Sequence, residues 1–428
     1  MRWSVFGWAE LMMQQRIETN RDWIWLVIIL IAGICLRAAA IAGLSHAPES
    51  DELAYQSMAV NLVAGNGILE NGNRAFYNAG YPMFILAPVF YFFGENLLVA
   101  RIANVLLGAV SIVLCYIVAK EAGAGKFGCL LAAAIWALYL PTGIYSVYLA
   151  KENLMVPLML GVMWCALRLG KTPSVKTAVG CGLLFGLLAM TGNAGLSLAG
   201  VVVLALVVAP VSVRQRLMVL SGVLFVALLV SLPWMARNLY QIGAPVMNTN
   251  GGFNLYLGNN PAANGYFVSI ADTPRGSTWH ELRKTSGELG ATETLKKEAI
   301  SWIKEHPEEF LVLALKKGAY FWTPPFHEGK GGNASTTESV VRLAWAVQFI
   351  LLIGAAIAGL LSPRLRNKQH LLLWLAIACY TATHMLFYVI FRYREPIMPV
   401  IGILAALAIE GFWIAKANRK GASQTDVS

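Results

Sequence analysis

The residues best suited to chemistry are charged side chains beside long apolar runs. Ser50-Asp51-Glu52 follows the apolar run 23–44, and a carboxylate there could act as a general base that takes a proton from an attacking hydroxyl. A helix cap plus a solvated acid would explain the same residues. Arg37 favours the functional interpretation, because it lies about two helical turns, roughly 10 Å, below the outer end of that run. A charge at that depth is costly and marks a functional cavity.

Further cations stand at the ends of other apolar runs. Lys151 directly precedes Glu152, and a snorkelling lysine beside an acid at a helix N-terminus would explain this pair equally well. Arg237 follows a tryptophan of the kind that forms the aromatic belt at a membrane surface. Arg392 and Arg394 lie at an outer end, where positive charge is disfavoured. Fixed cations in such a cavity suit a phosphate. We predict a phosphate site made of Lys151, Arg237, Arg392 and Arg394, with Arg394 facing the cavity.

Other motifs carry less information. The six cysteines all lie in apolar runs, and the six histidines lack metal-ligand spacing, so neither set predicts a disulfide framework or a metal site. The GxGxxG pattern at 123–128 joins two apolar runs instead of following a strand, so we interpret it as a turn and reject a dinucleotide site. The Asn- and Gly-rich stretch 248–260, which includes Asn254 and Asn259, suits either a loop over a sugar or an ordinary turn.

The amino-acid composition indicates what kind of structural element carries these residues. Of the 428 residues, 57% are hydrophobic and only 13% charged, about half the charged share of a soluble domain. A soluble fold would expose much of this apolar surface, and a disordered chain is poor in apolar residues. The sequence therefore predicts an all-α polytopic membrane protein. Its ten predicted spans are 23–44, 97–119, 128–141, 152–169, 177–192, 195–211, 217–235, 339–361, 370–391 and 396–416.

The spans imply a domain organisation. We predict an interfacial N-terminal segment at 1–22, a membrane core at 23–235 that includes a long outer loop at 45–96, and a second outer loop at 236–338 with a helical segment near 291–322. Membrane helices at 339–416 and a cytoplasmic tail at 417–428 complete the chain. The run 81–93 is too short for a confident crossing, and we place it as a juxtamembrane helix on the outer surface. Long loops in compact proteins are usually functional.

The net charge of +10 follows the membrane topology. Six short polar segments predicted on one side hold about half of the 33 Lys and Arg but only 5 of the 23 acids, whereas 236–338 is balanced. This basic side is therefore cytoplasmic, and nucleic-acid binding is excluded as the reason for the charge. We predict a multi-pass protein of the plasma membrane, the inner membrane of a bacterium, with its active site on the outer, periplasmic face.

With these residues in view, the chain resembles the bacterial branch of the C-type (GT-C) glycosyltransferase superfamily, related to protein O-mannosyltransferases and the aminoarabinose transferase of lipid A. The matching elements recur in family order over about residues 30–405. They are Arg37, Ser50-Asp51-Glu52 with Tyr55, Gly65-Asn-Gly67, Ala79-Gly80-Tyr81-Pro82, Ala100-Arg101-Ile-Ala-Asn104, Lys151-Glu152, Pro233-Trp234 with Arg237-Asn238, Gly251-Gly252 with Gly258-Asn259-Asn260, and Arg392-Tyr-Arg394-Glu-Pro396. Two features depart from the pattern: Thr191-Gly192-Asn193 replaces Thr-Arg-Pro, and no large soluble domain follows the last span.

The resemblance implies an inverting transfer of a sugar from a polyprenyl-phosphate donor to a lipid, glycan or protein acceptor at the outer face. It assigns base catalysis to Asp51 with Glu52. Lys151, Arg237, Arg392 and Arg394 would bind the donor phosphate, and Arg37, Tyr55, Tyr81, Glu152, Asn254 and Asn259 would contact substrate. Basic residues can neutralise one phosphate unaided, so we expect no required cofactor, although Asp51 and Glu52 could hold a divalent cation.

Two other functions remain open from the sequence. A transporter or flippase of a lipid-linked anion could use the same acids and cations, although the sequence shows no inverted repeat. A structural or assembly subunit could keep the fold without catalysis, and the presence of Asp51 argues weakly against it.

Overall fold

The computed structural model describes residues 5–324, 336–362 and 366–425, with side chains for 23–324, 338–362 and 366–417. The described chain is helical and contains no β-strand. Its helices are α1 (Val5–Leu44), α2 (Asp51–Val63), α3 (Ala87–Phe93), α4 (Leu97–Glu121), α5 (Lys126–Ala137), α6 (Leu140–Val147), α7 (Glu152–Lys171), α8 (Val175–Thr191), α9 (Ala199–Val208), α10 (Val213–Ile242), α11 (Asn250–Gly258), α12 (Trp279–Glu305), α13 (Pro307–Phe321), α14 (Thr336–Gly359), α15 (Lys368–Met385) and α16 (Met398–Thr425).

Six helices of the described chain are long and apolar enough to cross a membrane. They are Trp23–Leu44, Leu97–Glu121, Glu152–Lys171, Val213–Ile242, Glu338–Gly359 and Phe391–Ala417. The predicted span 128–141 is a pair, α5 and α6, bent by 45°, which counts as a seventh crossing if the pair is one span. Helices α8, α9 and α15 occupy the remaining predicted positions, but α8 and α9 are short and α15 does not reach the predicted end at 391. The number of ten crossings stays a prediction.

Helix α7 forms the centre of the bundle. Most of its side chains are buried, and it packs against α4, α8 and α9. Its first turn carries Glu152, directly after Lys151, so the most enclosed helix of the protein starts with two charged residues. Helix N-termini attract negative charge, which stabilises the Glu152 carboxylate and any anion placed beside it.

The two long loops contain helices of their own. In the first, α2 begins at Asp51, and a π-helical turn (Pro82–Leu86) leads into α3, giving a helical stretch of only twelve residues over 82–93. In the second, the helical segment begins at Trp279 instead of the predicted 291, and it breaks at His306, where Pro307 starts α13. Gly287 interrupts α12 with a φ of 68°, a conformation that glycine adopts without strain.

The predicted ends of several segments shift for local reasons. Helix α10 continues past 235 to Ile242 and ends at Gly243, whose φ of 81° makes it a typical left-handed helix stop. Helix α1 runs without interruption from Val5, so its described backbone joins the predicted interfacial segment 1–22 to the first span. The stretch predicted as a loop over a sugar, 248–260, is mostly helix α11.

Candidate active site

The two neighbouring acids at the start of α2 have different surroundings. Asp51 is one-third exposed, and its Oδ2 accepts a hydrogen bond from the guanidinium of Arg392. Glu52 is buried; its Oε2 lies 2.8 Å from His46 Nε2, and its Oε1 accepts a hydrogen bond of 2.8 Å from the backbone N–H of Leu149. Glu52 therefore ties the loop before α2 to the segment before α7, and Asp51 is the acid that a substrate can reach.

Ser50 sets the direction of Asp51. It has a φ of 51° and makes no side-chain cap to α2. A positive φ is unfavourable for serine, so surrounding contacts must hold the turn in place. Glu52, two residues later, supplies such contacts through His46 and through the backbone N–H of Leu149.

Arg392 lies between two carboxylates. It pairs with Asp51, and its Nε lies 3.3 Å from Oε1 of Glu152, whose side chain is 3% exposed. Among the described residues, neither Oε atom of Glu152 accepts a hydrogen bond. Within the described part of the chain, Arg392 is thus the cation paired with the buried carboxylate, and it also holds the exposed one, so its position fixes both.

A two-part cavity surrounds this cluster. The part that we call the loop lobe, about 310 Å³, is lined mainly by the two long loops and includes Asp51 and Arg392. The part that we call the membrane lobe, about 270 Å³, is lined by α7, α15 and the segment after α8. Five residues line both lobes: Lys151, Asn250, Asn254, Tyr388 and Tyr393. The two lobes therefore meet at Lys151, and a molecule in one can contact a molecule in the other.

The charges that face the two lobes leave an excess of one cation. Lys151, Arg283 and Arg392 face Asp51 and Glu152. The Lys151 Nζ lies 3.4 Å from Oδ1 of Asn78, a weak and neutral partner. The enclosed site thus favours a ligand with one negative charge, since low-dielectric walls strengthen the attraction.

Aromatic rings form the walls of the loop lobe. They include Tyr77, Phe253, Phe267, Trp279 and Tyr388. Burial, as the main cause, raises the pKa of Tyr388 to about 12 and also raises the pKa of Tyr77, so both phenols keep their protons at neutral pH. Flat apolar faces combined with hydroxyl donors are a suitable surface for a sugar ring.

Arg394 lies outside this cavity, contrary to the expectation that it is the arginine facing inward. Its Nη1 donates to the backbone oxygens of Phe321 (3.3 Å) and Thr323 (2.6 Å), and its guanidinium lies 4.3 Å from the ring centre of Phe349. Residues 391–397 form a 3₁₀ helix with three residues per turn, so positions two apart point in different directions. Arg392 therefore reaches the carboxylates, and Arg394 binds the end of α13.

Arg237 also binds backbone. Its two terminal nitrogens donate to the carbonyls of Arg74 (2.5 Å) and Ile68 (2.9 Å), and it stacks on Trp234. It lines neither lobe. The geometry gives Arg237 the task of attaching the first long loop to α10, and its predicted contact with the donor phosphate stays a prediction.

Of the other residues predicted to contact substrate, some line the cavity and some only hold the fold together. Tyr55 lines the loop lobe, and Asn254 lines both lobes, where it accepts a 3.3 Å hydrogen bond from Tyr388 Oη. Tyr81 is fully buried and donates to Asn104 (2.9 Å). Asn259 is also buried and donates 2.8 Å and 2.7 Å hydrogen bonds to the carbonyls of Leu255 and Leu386. Tyr81 and Asn259 thus hold elements together.

Arg37 lies deeper, below the cluster. It is almost fully buried in α1 and donates to the carbonyls of Gly33 (2.9 Å) and Ala137 (3.2 Å). It lines a small cavity of about 20 Å³ with Glu152 and Glu395, large enough for one water molecule. The small cavity shares Glu152 with the membrane lobe, so Arg37 lies beside the site without lining either lobe.

Arg283 is a residue of the cavity that sequence reasoning missed. Its guanidinium lies 5.4 Å from the ring centre of Phe76 and 5.5 Å from that of Trp279, at the edge of the loop lobe. Among the described residues it has no acidic partner within 4.0 Å. Trp279 and Arg283 stand one helical turn apart in α12, a spacing that could have indicated a shared face.

No group of three or more His, Cys, Asp or Glu side chains in the described part of the chain is arranged to hold a metal ion. The carboxylates nearest to the cavity have protein partners: Asp51 and Glu152 have Arg392, and Glu52 has His46 and Leu149.

One family model matches part of the chain. Residues 81–235 match the family described as dolichyl-phosphate-mannose-protein mannosyltransferase. A search of curated protein sequences found no significant match. The match runs from just before α3 into α10 and therefore includes Lys151 and Glu152 but not Asp51, Arg237 or Arg392.

Two solved structures share the fold over almost the whole chain. ArnT from Cupriavidus metallidurans in the apo state aligns over 90% of this chain with a TM-score of 0.54 and 18% identity. The archaeal oligosaccharyltransferase AglB from Archaeoglobus fulgidus, in complex with an inhibitory peptide and a dolichol-phosphate, aligns over 95% with a TM-score of 0.55 and 13% identity. The chain spans 59% of ArnT and 52% of AglB. The chain therefore has the GT-C glycosyltransferase fold, and its residues 81–235 are similar to the protein mannosyltransferase family.

Proposed function

We propose that the protein is an inverting glycosyltransferase that moves a sugar from a polyprenyl-phosphate donor to a hydroxyl of an acceptor lipid, glycan or protein. The observation that carries the proposal is the junction at Lys151, where a lobe among membrane helices meets a lobe that contains a reachable carboxylate, Asp51. A lipid-linked donor enters from the membrane, and an acceptor enters from the loops. The dolichol-phosphate bound by AglB supports a lipid phosphate as the donor group.

The donor has one negative charge, which matches the excess of one cation in the cavity. Its phosphate binds between Lys151 and Arg392, near the N-terminus of α7, while its apolar chain follows the membrane lobe past Met155 and Phe387. The sugar then lies against the aromatic walls of the loop lobe.

The reaction follows from this placement. The acceptor hydroxyl gives its proton to Asp51 as its oxygen attacks the anomeric carbon from the side opposite the phosphate. The bond between that carbon and the phosphate oxygen breaks, and the electron pair leaves with the polyprenyl phosphate. The leaving group gains a second negative charge, which Lys151 and Arg392 stabilise. Attack from the opposite side inverts the configuration at the anomeric carbon.

Asp51 and Arg392 have linked roles in this scheme. Arg392 binds one oxygen of Asp51 and leaves the other for the acceptor. As the leaving phosphate gains charge, it competes with Asp51 for the same guanidinium. Asp51 loses its own charge by protonation in the same step, so one arginine serves both groups.

We further propose that the active site faces the outside of the plasma membrane, which in a bacterium is the inner membrane, and that no metal is required. The charge asymmetry of the sequence supports this orientation, because the predicted ten spans put the basic segments on the membrane side opposite to the two long loops. The cations of the cavity neutralise one phosphate without help from a metal ion.

Substitution of Asp51 tests the base. In Asp51→Asn we expect transfer to fall by about 10²–10⁴, the usual cost of losing a general base, while donor affinity stays within a few-fold. The assay supplies purified protein with radiolabelled polyprenyl-phosphate sugar and a cell-envelope lipid extract as acceptor, and it follows loss of label from the donor. Glu49→Gln, an exposed acid two residues away, is the matched control and should keep normal turnover.

Two results would contradict the proposal. Near-normal turnover of Asp51→Asn would remove Asp51 as the base. Transbilayer movement of an intact donor in vesicles, with no loss of sugar, would show instead a flippase of a lipid-linked anion.

A further inference from the structure

Arg283 is a cation of the loop lobe that the proposed reaction does not use. It lies on α12, and among the described residues its N–H groups bind no acceptor. It lines the loop lobe but not the membrane lobe, so it lies away from the junction at Lys151, where we place the donor phosphate. Arg283 is therefore available to a second ligand.

Three aromatic rings hold the Arg283 side chain in position. Its guanidinium carbon lies 5.4 Å from the ring centre of Phe76 and 5.5 Å from that of Trp279. Phe253 contacts both of these rings, with centre-to-centre distances of 5.4 Å and 5.1 Å. Contacts of this kind use the positive charge of the guanidinium and not its N–H donors. The cation is thus preorganised with its donors open to a ligand, which lowers the entropy cost of binding.

Carboxylates on the neighbouring segments are bound elsewhere. Asp51 pairs with Arg392. Glu288, on the same helix as Arg283, accepts a 3.0 Å hydrogen bond from the backbone N–H of Ala75 and so attaches the first long loop to α12. These two acids therefore do not compete for Arg283.

The charges of the loop lobe leave room for a second anion. Its cations are Lys151, Arg283 and Arg392. Among the described residues its acid is Asp51, because Glu152 lines the membrane lobe and not the loop lobe. A donor phosphate with one negative charge offsets one of the two excess cations. One positive charge, that of Arg283, then remains for the acceptor.

One acceptor molecule can contact Asp51 and Arg283 together. Both line the same lobe of about 310 Å³, and Tyr77 lines it as well. Burial is the main cause of the raised pKa of Tyr77; Asp51 raises that pKa further and Arg283 lowers it, so both charges act on this phenol. A sugar of the acceptor can therefore present a hydroxyl to Asp51 and another group to Arg283.

We propose that the acceptor is a glycan whose reacting sugar carries a carboxylate, as a uronic acid does, and that Arg283 binds this carboxylate. The proposal rests on the proposed function, which makes Asp51 the base and the loop lobe the acceptor site. Two oxygens of a planar carboxylate match two N–H donors of a guanidinium. A carboxylate also has the single charge that the lobe can still offset, whereas a phosphate monoester has about −1.5 to −2 at neutral pH.

The test measures acceptor binding without donor and without transfer. Methyl glucuronide and methyl glucoside share a ring and differ in the carboxylate, and ligand-observed NMR gives their affinities for the protein in a neutral detergent without a sugar headgroup. A hydrogen-bonded pair of charges should make the glucuronide bind about tenfold more tightly, or better. Arg283→Gln should abolish this preference. Arg283→Lys should keep part of it, because lysine has the charge but not the fork.

Lys284→Gln is the matched control, since it removes the exposed cation next to Arg283, and it should keep the full preference. Circular dichroism should confirm that each variant is folded. Equal binding of the two sugars by the wild type, or an unchanged preference in Arg283→Gln, would overturn the proposal. Tighter binding of dimethyl phosphate, a phosphodiester with one charge, than of methyl glucuronide would overturn it in favour of a phosphate-bearing acceptor.

Failure of this proposal and failure of the proposed glycosyl transfer give different results. Transfer that is lost in Asp51→Asn, in a protein without a carboxylate preference, would overturn the carboxylate assignment alone. A preference that depends on Arg283, in a protein that transfers no sugar, would overturn the proposed function and leave a carboxylate-binding site.

Discussion

Removing Arg392 should separate its structural role from its catalytic one. In Arg392→Gln, Asp51 and Glu152 both lose their cation. Asp51 is one-third exposed, and water can solvate it. Glu152 is 3% exposed and has no hydrogen bond to either Oε among the described residues, so its charge would be left buried and unpaired.

The magnitude follows from that difference in exposure. Breaking a buried ion pair by removing one partner costs about 3–5 kcal/mol, whereas an exposed pair contributes about 0–1 kcal/mol. We therefore expect Arg392→Gln to lose about 3–5 kcal/mol of stability, nearly all of it through Glu152. In Arg392→Gln/Glu152→Gln the unpaired buried carboxylate is gone, and most of that loss should be recovered.

Transfer by the double variant then reports chemistry alone. Loss of one preorganised donor to a developing anion costs about 10²–10³ in turnover, so the folded double variant should be slower by that amount. Glu152→Gln alone, which keeps Arg392, should keep more activity. The measurements are thermal unfolding in detergent and turnover of the monodisperse fraction. A double variant within tenfold of wild type would refute the role of Arg392 at the leaving phosphate, and a double variant as unstable as the single one would refute the pairing with Glu152.

Three further predictions concern residues around the cavity. Arg394→Leu should lower thermal stability, because it removes the hydrogen bonds to the end of α13, while the folded fraction keeps normal donor affinity in a binding titration. Arg283→Gln should raise the KM for the acceptor more than the KM for the donor, because Arg283 lines only the loop lobe. Lys284→Gln is its exposed control. Equal changes in the two KM values would contradict the assignment of Arg283 to the acceptor side. Burial lowers the pKa of Lys317 from its ordinary 10.5 to about 8, so the unfolded chain binds more protons between these values, and stability should rise with pH across that window. Thermal unfolding from pH 7.5 to 10 should show this rise in wild type and in the exposed control Lys316→Met but not in Lys317→Met.

The sequence was sufficient for the helical membrane class and for the acids and cations near the site. The prediction of a membrane span depends on the average hydropathy of about twenty residues, so a wrong interpretation of one residue changes it little. Boundaries depend on single contacts: α8 and α9 are short because the chain turns between them at Gly192, a feature that hydropathy does not register.

The assignment among the arginines could not be made from the sequence. Arg392 and Arg394 are the same residue type, two positions apart, and only the 3₁₀ geometry of 391–397 decides which one reaches Asp51. Arg283 is one of five cations in the charged helix α12, and one of its two aromatic neighbours, Phe76, comes from another loop. Contacts between distant segments of this kind leave no local pattern.

The short segment 391–397 also has a mechanical consequence. Arg392 holds the two carboxylates of the cavity, and Arg394, on the other side of the same rigid turn, holds the carbonyls at the end of α13. A displacement of α13 would therefore be transmitted through one helical turn to Arg392. We therefore expect the end of the second long loop and the cation of the cavity to move together.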